Sequence, residues 1–252
     1  MCFPGRRQKN LLADDVEQKK ASTSTPSSSK PAKNGSATPV VSSTAPATKK
    51  MAPKVAIVIY TMYGHIAKLA EAIKTGIQEA GGSATIFQIA ETLPANVLEA
   101  MHAPAKPSYP ILSPDKLVDY DAFVFGIPTR YGNFPAQWKS FWDATGGLWA
   151  KGSLAGKYAG VFVATGTLGG GQESTVLASI STLTHHGIVY VPLGYSTTFD
   201  ILSNIKEVRG GSPWGSGTFT GADGSRLPSD LELELAQRHG KYFFNIVNKV
   251  AF

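Results

Sequence analysis

Short runs of large apolar residues alternate along this chain with segments in which apolar residues recur every three or four positions. The run at residues 54–60 (KVAIVIY) is continuous and β-branched, which is typical of a strand buried on both faces. Residues 64–80 have helical spacing, and Gly81-Gly82 predicts the end of that helix. By the same criteria, the predicted strands are residues 54–60, 84–89, 122–127, 158–164 and 188–191. The predicted helices are residues 64–80, 95–101, 135–145, 173–186 and 230–250, with Gly146-Gly147 ending the third and Ser229 capping the last.

Five short strands that alternate with helices predict an α/β fold, a doubly wound parallel sheet with right-handed crossovers and helices on both faces. Two stretches lack this regularity. Residues 90–118 are irregular apart from the short helix, and residues 194–227 are rich in Gly, Ser and Thr and predict a long loop. Ligands bind such sheets beyond the C-terminal ends of the strands. The loops after strands one, three and four are therefore the candidate site.

The N-terminal region differs in composition from the rest. Residues 21–48 contain 13 Ser or Thr and four Pro but almost no large apolar side chain, so they bury too little surface to offset the entropy of ordering. We therefore expect a disordered tail over residues 1–52 and one folded domain over residues 53–252. Nine basic and three acidic residues lie in positions 1–50, whereas positions 51–252 carry 15 of each sign. The neutral domain argues against nucleic acid as a partner.

Cys2 is the sole cysteine, which excludes an intrachain disulfide and a cysteine-rich zinc site. No metal is predicted, because the histidines lack ligand spacing and the adjacent His185 and His186 point about 100° apart on a helix. No apolar run approaches the roughly 20 residues of a membrane span, so we expect a cytoplasmic protein. Cys2 near Arg6 and Arg7 fits S-acylation and a peripheral membrane contact. The alternative is a solvated leader with an unmodified thiol.

The loop after the first predicted strand has the composition of a phosphate site. It combines a hydroxyl and a glycine with the free N–H groups of a helix start. It has neither a GxxxxGK[ST] nor a GxGxxG pattern, so a monophosphate ester fits better than a nucleoside triphosphate or a dinucleotide. The alternative is a plain β–α turn capped by its threonine. The loop consists of Thr61, Met62, Tyr63, Gly64, His65 and Ile66.

The loops after the third and fourth strands suit a flat polar ring. One supplies a guanidinium, an aromatic ring and a glycine, and the other supplies glycines whose N–H groups stay open to a ligand. Each has a plainer interpretation by itself, a surface ion pair for the arginine and a flexible loop for the glycine run. All three loops meet at one edge of the predicted sheet, which favours a binding site. The later two comprise Pro128, Thr129, Arg130, Tyr131, Gly132 and Asn133, then Thr165, Gly166, Thr167, Leu168, Gly169 and the residues up to Glu173.

The segments TMYGHI, PTRYGN, TGGLWA, TGTLGGGQE, THHG and GADGSR resemble those of the WrbA-type NAD(P)H:quinone oxidoreductases. The resemblance covers residues 53–250, and the N-terminal extension is similar to that of fungal members. It implies a flavodoxin-like five-stranded sheet of order 2-1-3-4-5, FMN as cofactor, NADH or NADPH as donor, a quinone substrate and a homotetramer. Donor and quinone would use one pocket over the flavin in turn, a ping-pong scheme. The aromatic residues expected at subunit contacts are Phe134, Trp138, Trp142 and Trp149, although helical spacing also fits core positions for Trp138, Phe141 and Trp142.

The same resemblance implies roles for individual residues. Residues 61–66 hold the FMN phosphate, and residues 129–131 lie along the isoalloxazine. His185 is the catalytic candidate that hydrogen-bonds a flavin or quinone oxygen, with a neutral pocket-shaping histidine as the alternative. Tyr63 touches the nicotinamide, and Trp149 lines the substrate face. The pyrimidine side of the ring meets Ala164, Thr165, Gly166, Thr167, Leu168 and Gly169, where Leu168 looks like an insertion in the glycine run.

Two other functions stay open at this point. A one-electron carrier of the flavodoxin type is one, although the neutral domain and the long segments 90–118 and 194–227 argue against it. A membrane-associated structural or stress-related module is the other, and the tail is its motivation. A P-loop-like run at residues 152–157 is one residue short, and no Gly-X-Ser-X-Gly elbow of a serine hydrolase occurs.

Overall fold

The computed structural model describes residues 51–252, so the predictions made for the tail, including acylation of Cys2, lie outside the described residues. Fourteen elements follow one another in the described range. They are β1 (Val55–Ile59), α1 (His65–Glu79), β2 (Ala84–Gln88), α2 (Ala95–Ala100), a 3₁₀ helix (Pro114–Asp119), β3 (Ala122–Pro128), α3 (Ala136–Asp143), α4 (Gly146–Ala150), β4 (Tyr158–Thr165), α5 (Gln172–His185), β5 (Val189–Tyr190), α6 (Phe199–Leu202), β6 (Gly217–Phe219) and α7 (Asp230–Val247).

The strands form a parallel sheet of order β2-β1-β3-β4-β5, which confirms the predicted doubly wound, flavodoxin-like fold. Alternate side chains of β1 enter two separate apolar cores. On one face Ile57 and Ile59 pack with residues of α1 and α7. On the other face Val58, together with Tyr60 just after the strand, packs with residues of α3 and α5. Burial on both faces explains why the strand is apolar throughout.

The fifth position of the sheet is shared by two short strands. β5 pairs with Tyr158 and Ala159 at the start of β4, whereas β6 pairs with the last three residues of β4. The predictions of an uninterrupted loop over residues 194–227 and of only five strands are therefore wrong, because this stretch contains α6 and β6. A strand of three residues that begins with glycine has no readable period and little strand propensity.

The glycine pair after α3 begins a helix instead of ending one. α3 ends at Asp143, and the hydroxyl of Thr145 closes the turn by donating to the carbonyl oxygen of Trp142 at 2.6 Å. The N–H groups of Leu148 and Trp149 then donate to the carbonyl oxygen of Thr145. The glycines thus lie in the first turn of α4, and the prediction of a helix end at that pair is wrong.

Candidate functional site

The turn between β1 and α1 leaves the start of the helix open. Gly64 has φ of 90°, a left-handed conformation that favours glycine, and a Cβ there would meet open space. Its N–H donates to the Thr61 hydroxyl at 3.1 Å, which leaves the hydroxyl hydrogen free to donate elsewhere. Among the described residues, no side chain caps α1. The first N–H groups of the helix, with their partial positive charge, therefore face the adjoining space.

His65 adds an unsatisfied polar atom to this turn. The side chain is 6% exposed, and its Nε2 has no hydrogen-bond partner within residues 51–252. Burial lowers the pKa of His65, an effect that the backbone groups of Gly224 and Arg226 partly offset. A buried ring nitrogen without a partner is costly unless a ligand satisfies it. The turn therefore fits an anionic group such as a phosphate ester.

The structure brings the three predicted loops together around one cavity of about 330 Å³ at the C-terminal edge of the sheet. A fourth wall, residues 220–224, closes the cavity, and it was not among the site residues predicted from the sequence. The one sequence feature that pointed to this wall was the GADGSR segment, which is among the motifs of the family resemblance but had no binding role assigned to it. The lining from the predicted loops is Thr61, Met62, Tyr63, His65, Ile66, Pro128, Thr129, Arg130, Ala164, Thr165 and Gly166, and the fourth wall adds Thr220, Gly221, Ala222, Asp223 and Gly224.

A buried carboxylate positions the fourth wall. Ser229 caps α7 as predicted, in a capping box with Glu232. The Glu232 side chain is fully buried and forms an ion pair with Arg226 at 2.8 Å. The backbone of Arg226 closes the wall, because its main-chain N–H donates to the carbonyl oxygen of Thr220 at 2.9 Å. The start of α7 thus holds the fourth wall in place. This wall lines the same cavity as the turn of residues 61–66, which is called the phosphate turn below.

The loop after β3 ends in a tight turn at the rim. Arg130 and Asn133 exchange two backbone hydrogen bonds, of 2.7 and 3.0 Å, around Tyr131 and Gly132, which have φ of 54° and 73°. A positive φ is uncommon for a tyrosine, and this ring is fully exposed. Arg130 lines the cavity, whereas residues 131 and 133 line a neighbouring groove. The turn therefore presents an aromatic ring and a guanidinium beside the cavity.

The glycine-rich loop contributes only its beginning to the cavity. Thr165 and Gly166 line it, while Thr167, Leu168 and Gly169 are exposed outside its wall. The Thr165 hydroxyl donates to the carbonyl oxygen of Thr167 at 3.1 Å, which curls the loop back on itself. Gln172 then fixes the loop to β6, because its Nε2 donates to the carbonyl oxygen of Thr218 at 2.9 Å.

His185 and Trp149 do not reach this cavity. α5 runs back along the sheet, so His185 lies near the start of β4, and the eight residues of β4 span about 26 Å. Trp149 lies at the same far edge, because a 2.8 Å hydrogen bond between Thr145 and His186 joins the α3–α4 junction to the end of α5. His185 and Trp149 are both exposed. A flavin in the cavity of the same subunit is therefore out of their reach.

Two of the aromatic residues expected at subunit contacts are core residues. Trp138 is fully buried and Trp142 is 7% exposed within the protomer, where their rings pack against Phe125. The expectation of a contact role for this pair is wrong, since helical spacing cannot distinguish an inward face from an interface. Phe134 is half-buried and Trp149 is 58% exposed, so both keep surface available.

Two further features are absent from the described range, a metal-binding cluster of side chains and a membrane-spanning helix. No group of three or more His, Cys, Asp or Glu side chains there is arranged to hold a metal ion. None of the helices in residues 51–252 has the length and apolarity required to cross a bilayer.

Comparison with known proteins identifies the cofactor. The family of NADPH-dependent FMN reductases matches residues 55–199, which is more than half of the chain. The chain belongs to this family. It is therefore an NAD(P)H-dependent flavoprotein oxidoreductase with FMN as its cofactor, as the resemblance predicts. The open start of α1 and the Nε2 of His65, which has no partner in the described residues, fit the FMN phosphate, and no dinucleotide fingerprint competes for that turn.

Individual relatives match this chain over nearly their whole length. The chain is 62% identical over 201 residues to the minor allergen Alt a 7 of Alternaria alternata, covering 79% of this chain and 98% of the relative. It is 60% identical over 199 residues to the NAD(P)H quinone oxidoreductase PST3 of Candida albicans, covering 79% and 100%. Its fold is similar to that of a WrbA-like flavodoxin from Agrobacterium tumefaciens, with a TM-score of 0.53, 23% identity, and coverage of 78% and 98%.

Replacement of Arg130 by alanine should weaken FMN binding about five-fold, or about 1 kcal/mol. The effect is modest because the guanidinium is exposed and already donates to the carbonyl oxygen of Thr129 at 2.8 Å. Titration of apoprotein with FMN measures the change, with the distant exposed Lys116→Ala as control. An unchanged affinity would exclude Arg130 from the flavin site.

Proposed function

We propose that this chain reduces quinones by two electrons at the expense of NAD(P)H, with FMN as the intermediate carrier. The observation that carries the proposal is the convergence of the phosphate turn, the arginine-bearing turn and the start of the glycine-rich loop on one cavity. The quinone oxidoreductase names of 60%-identical relatives support the choice of acceptor. FMN, when bound, supplies the ability to accept a hydride and to pass two electrons on.

The reaction balances without a further reactant. The dihydronicotinamide loses a hydride, which carries two electrons and one proton, and leaves as NAD(P)⁺. The quinone gains two electrons and two protons and leaves as the hydroquinone, so one proton comes from solvent. The chain itself has to hold the cofactor, keep the ring accessible and admit two different partners.

The residues of the cavity divide these tasks. The N–H groups at the start of α1, the Thr61 hydroxyl and His65 Nε2 would hold the phosphate dianion. Arg130 places a positive charge at the rim, where it would favour negative charge that develops on the ring or on a quinone oxygen. The exposed ring of Tyr131 beside it offers apolar surface to a planar partner.

We propose that donor and acceptor occupy one pocket in turn. The absence of a dinucleotide fingerprint from the sequence supports this, because it leaves the donor without a separate binding motif. Initial rates measured over a grid of NADH and benzoquinone concentrations should give parallel double-reciprocal lines. Intersecting lines would mean that both partners bind at once and would reject the shared pocket.

We further propose a homotetramer in which Trp149 and His185 of one subunit act on the flavin of another. Support comes from their exposure and from their shared position at the edge of the sheet opposite the cavity. In this arrangement His185 would hydrogen-bond the flavin or the quinone oxygen, and Trp149 would cover the substrate face.

Light scattering of the purified protein at micromolar concentration should give the mass of about four subunits. A monomeric protein with full quinone reductase activity would reject both the assembly and the shared site.

We also propose a cytoplasmic protein with a peripheral membrane contact through acylated Cys2. Support comes from the sequence alone, since one acyl chain beside basic residues gives weak, reversible anchoring. Full-length protein and its Cys2→Ser variant, each fluorescently tagged, should differ in membrane association. Identical distributions would reject the anchor.

A further inference from the structure

A salt bridge between Lys106 and Glu91 lies next to the phosphate turn, and neither residue lines the flavin cavity. Lys106 Nζ is 2.8 Å from Glu91 Oε2 and also donates to the carbonyl oxygen of Thr61 at 2.8 Å. The same ammonium group sits 4.5 Å above the ring of Tyr60. Lys106 therefore binds the backbone of the first residue of the phosphate turn without itself lining the cavity.

Glu91 is the other half of this arrangement. Its side chain is 18% exposed. Its carboxylate also accepts hydrogen bonds from the Tyr60 hydroxyl at 2.9 Å and from Gln137 Nε2 at 3.1 Å. Burial by itself would raise the pKa of Glu91, but the hydrogen bonds from Lys106, from the Leu93 N–H and from Tyr60 outweigh it and lower the pKa to about 2. The carboxylate is therefore charged at every physiological pH.

The negative charge of Glu91 would disfavour binding of the FMN phosphate unless a nearby cation neutralised that charge. The FMN phosphate is a dianion, and one Lys106 hydrogen bond separates Glu91 from the backbone of Thr61. Repulsion between charges in a partly desolvated site is much stronger than in bulk water. Lys106 supplies the compensating charge and is only 26% exposed.

We propose that Lys106 is a positioning residue for the FMN phosphate. It acts through Thr61, by fixing the carbonyl oxygen of that residue, and through Glu91, by neutralising its carboxylate. The residue has no contact with the cavity. The proposal rests on FMN binding in that cavity.

The segment that carries Lys106 is itself anchored. Gln88 at the end of β2 donates from Nε2 to the carbonyl oxygens of Pro107 and Tyr109, at 2.8 and 2.7 Å. The Tyr63 hydroxyl makes a second link between the phosphate turn and this region, since it donates to the carbonyl oxygen of Met101 at 3.1 Å. The irregular segment thus forms a support for the turn.

The test compares apoprotein affinities for FMN and for riboflavin, which lacks the phosphate. Lys106→Met should weaken FMN binding about 30-fold, because it leaves Glu91 charged and unpaired. Riboflavin binding should change less than about three-fold, because the repelled group is absent. The double variant Lys106→Met/Glu91→Gln should recover most of the lost FMN affinity. Lys116→Met, at a lysine whose side chain is 61% exposed, is the matched control and should bind both ligands normally.

Two other results would overturn the proposal. Equal losses of FMN and riboflavin affinity would mean a general structural role, and FMN affinity within two-fold of the wild type would mean no role. If Lys106→Met does not fold, Lys106→Gln takes its place with the same expected selective loss of FMN affinity, whereas Lys106→Arg, which keeps the charge, should stay within about five-fold of the wild type. Wild-type apoprotein that fails to bind FMN would instead refute the cofactor assignment itself.

Discussion

Glu232→Ala should lower the free energy of unfolding by about 3 kcal/mol, the low end for removing one partner of a buried ion pair, since Arg226 is about a third exposed. The loss extends beyond the ion pair. The Glu232 carboxylate also accepts hydrogen bonds from the Gly210 N–H at 2.7 Å, from the Thr218 hydroxyl at 2.8 Å and from the Ser229 N–H at 2.8 Å. Alanine removes the acceptor of the two N–H groups and the closer acceptor of the hydroxyl.

Urea denaturation monitored by circular dichroism measures this change. Glu234→Ala is the matched control, because Glu234 lies on the same helix, is about half exposed and forms its ion pair with Arg238. This control substitution should lower the free energy of unfolding by less than about 0.5 kcal/mol. The Glu232 variant should also bind FMN more weakly, because residues 220–224 lose their anchor. Equal stability of the two variants would show that Glu232 does not organise the wall.

Gly240→Ala should destabilise the protein by about 3 kcal/mol, although alanine is the better helix former by about 1 kcal/mol. The reason is the crossing of α1 and α7. A Cβ on Gly240 would lie 2.0 Å from the carbonyl oxygen of Ile73, and one on Gly76 would lie 1.8 Å from that of Gln237. The two backbones meet at these glycines, so any side chain forces the helices apart.

Gly147→Ala provides the opposite expectation within the same chain. Gly147 is helical and exposed, and a Cβ there would meet nothing within 4 Å. Its replacement should therefore leave stability unchanged or raise it by up to about 1 kcal/mol. Thermal unfolding of both variants checks the pair. A Gly240→Ala protein as stable as Gly147→Ala would contradict the close helix crossing.

The sequence was sufficient for the parts of the structure that repeat a local pattern. Five strands and their order followed from apolar runs, helical spacing and the flavodoxin-like motifs. The three loops followed from the rule that ligands bind at the C-terminal edge of a parallel sheet. The cap at Ser229 followed from the residues around it.

The remainder depends on contacts between residues far apart in the chain. β6 is a strand because Gly217 pairs with Val163 of β4, a partner 54 positions earlier that no local pattern reveals. The fourth wall of the cavity depends on Glu232, which as a sequence position looks like any surface glutamate. Likewise, the helical spacing of Trp138 and Trp142 was compatible with a core and with an interface, and only the fold decides between them.

The anaerobic visible spectrum of the purified protein, recorded during titration with NADH and then with benzoquinone, tests the central claim most directly. A two-electron quinone reductase should show a flavin spectrum that one equivalent of NADH bleaches in a single two-electron step and that one equivalent of benzoquinone restores. A bleached protein that benzoquinone leaves unchanged, or a spectrum that changes in two separated one-electron steps, would contradict a two-electron quinone reductase.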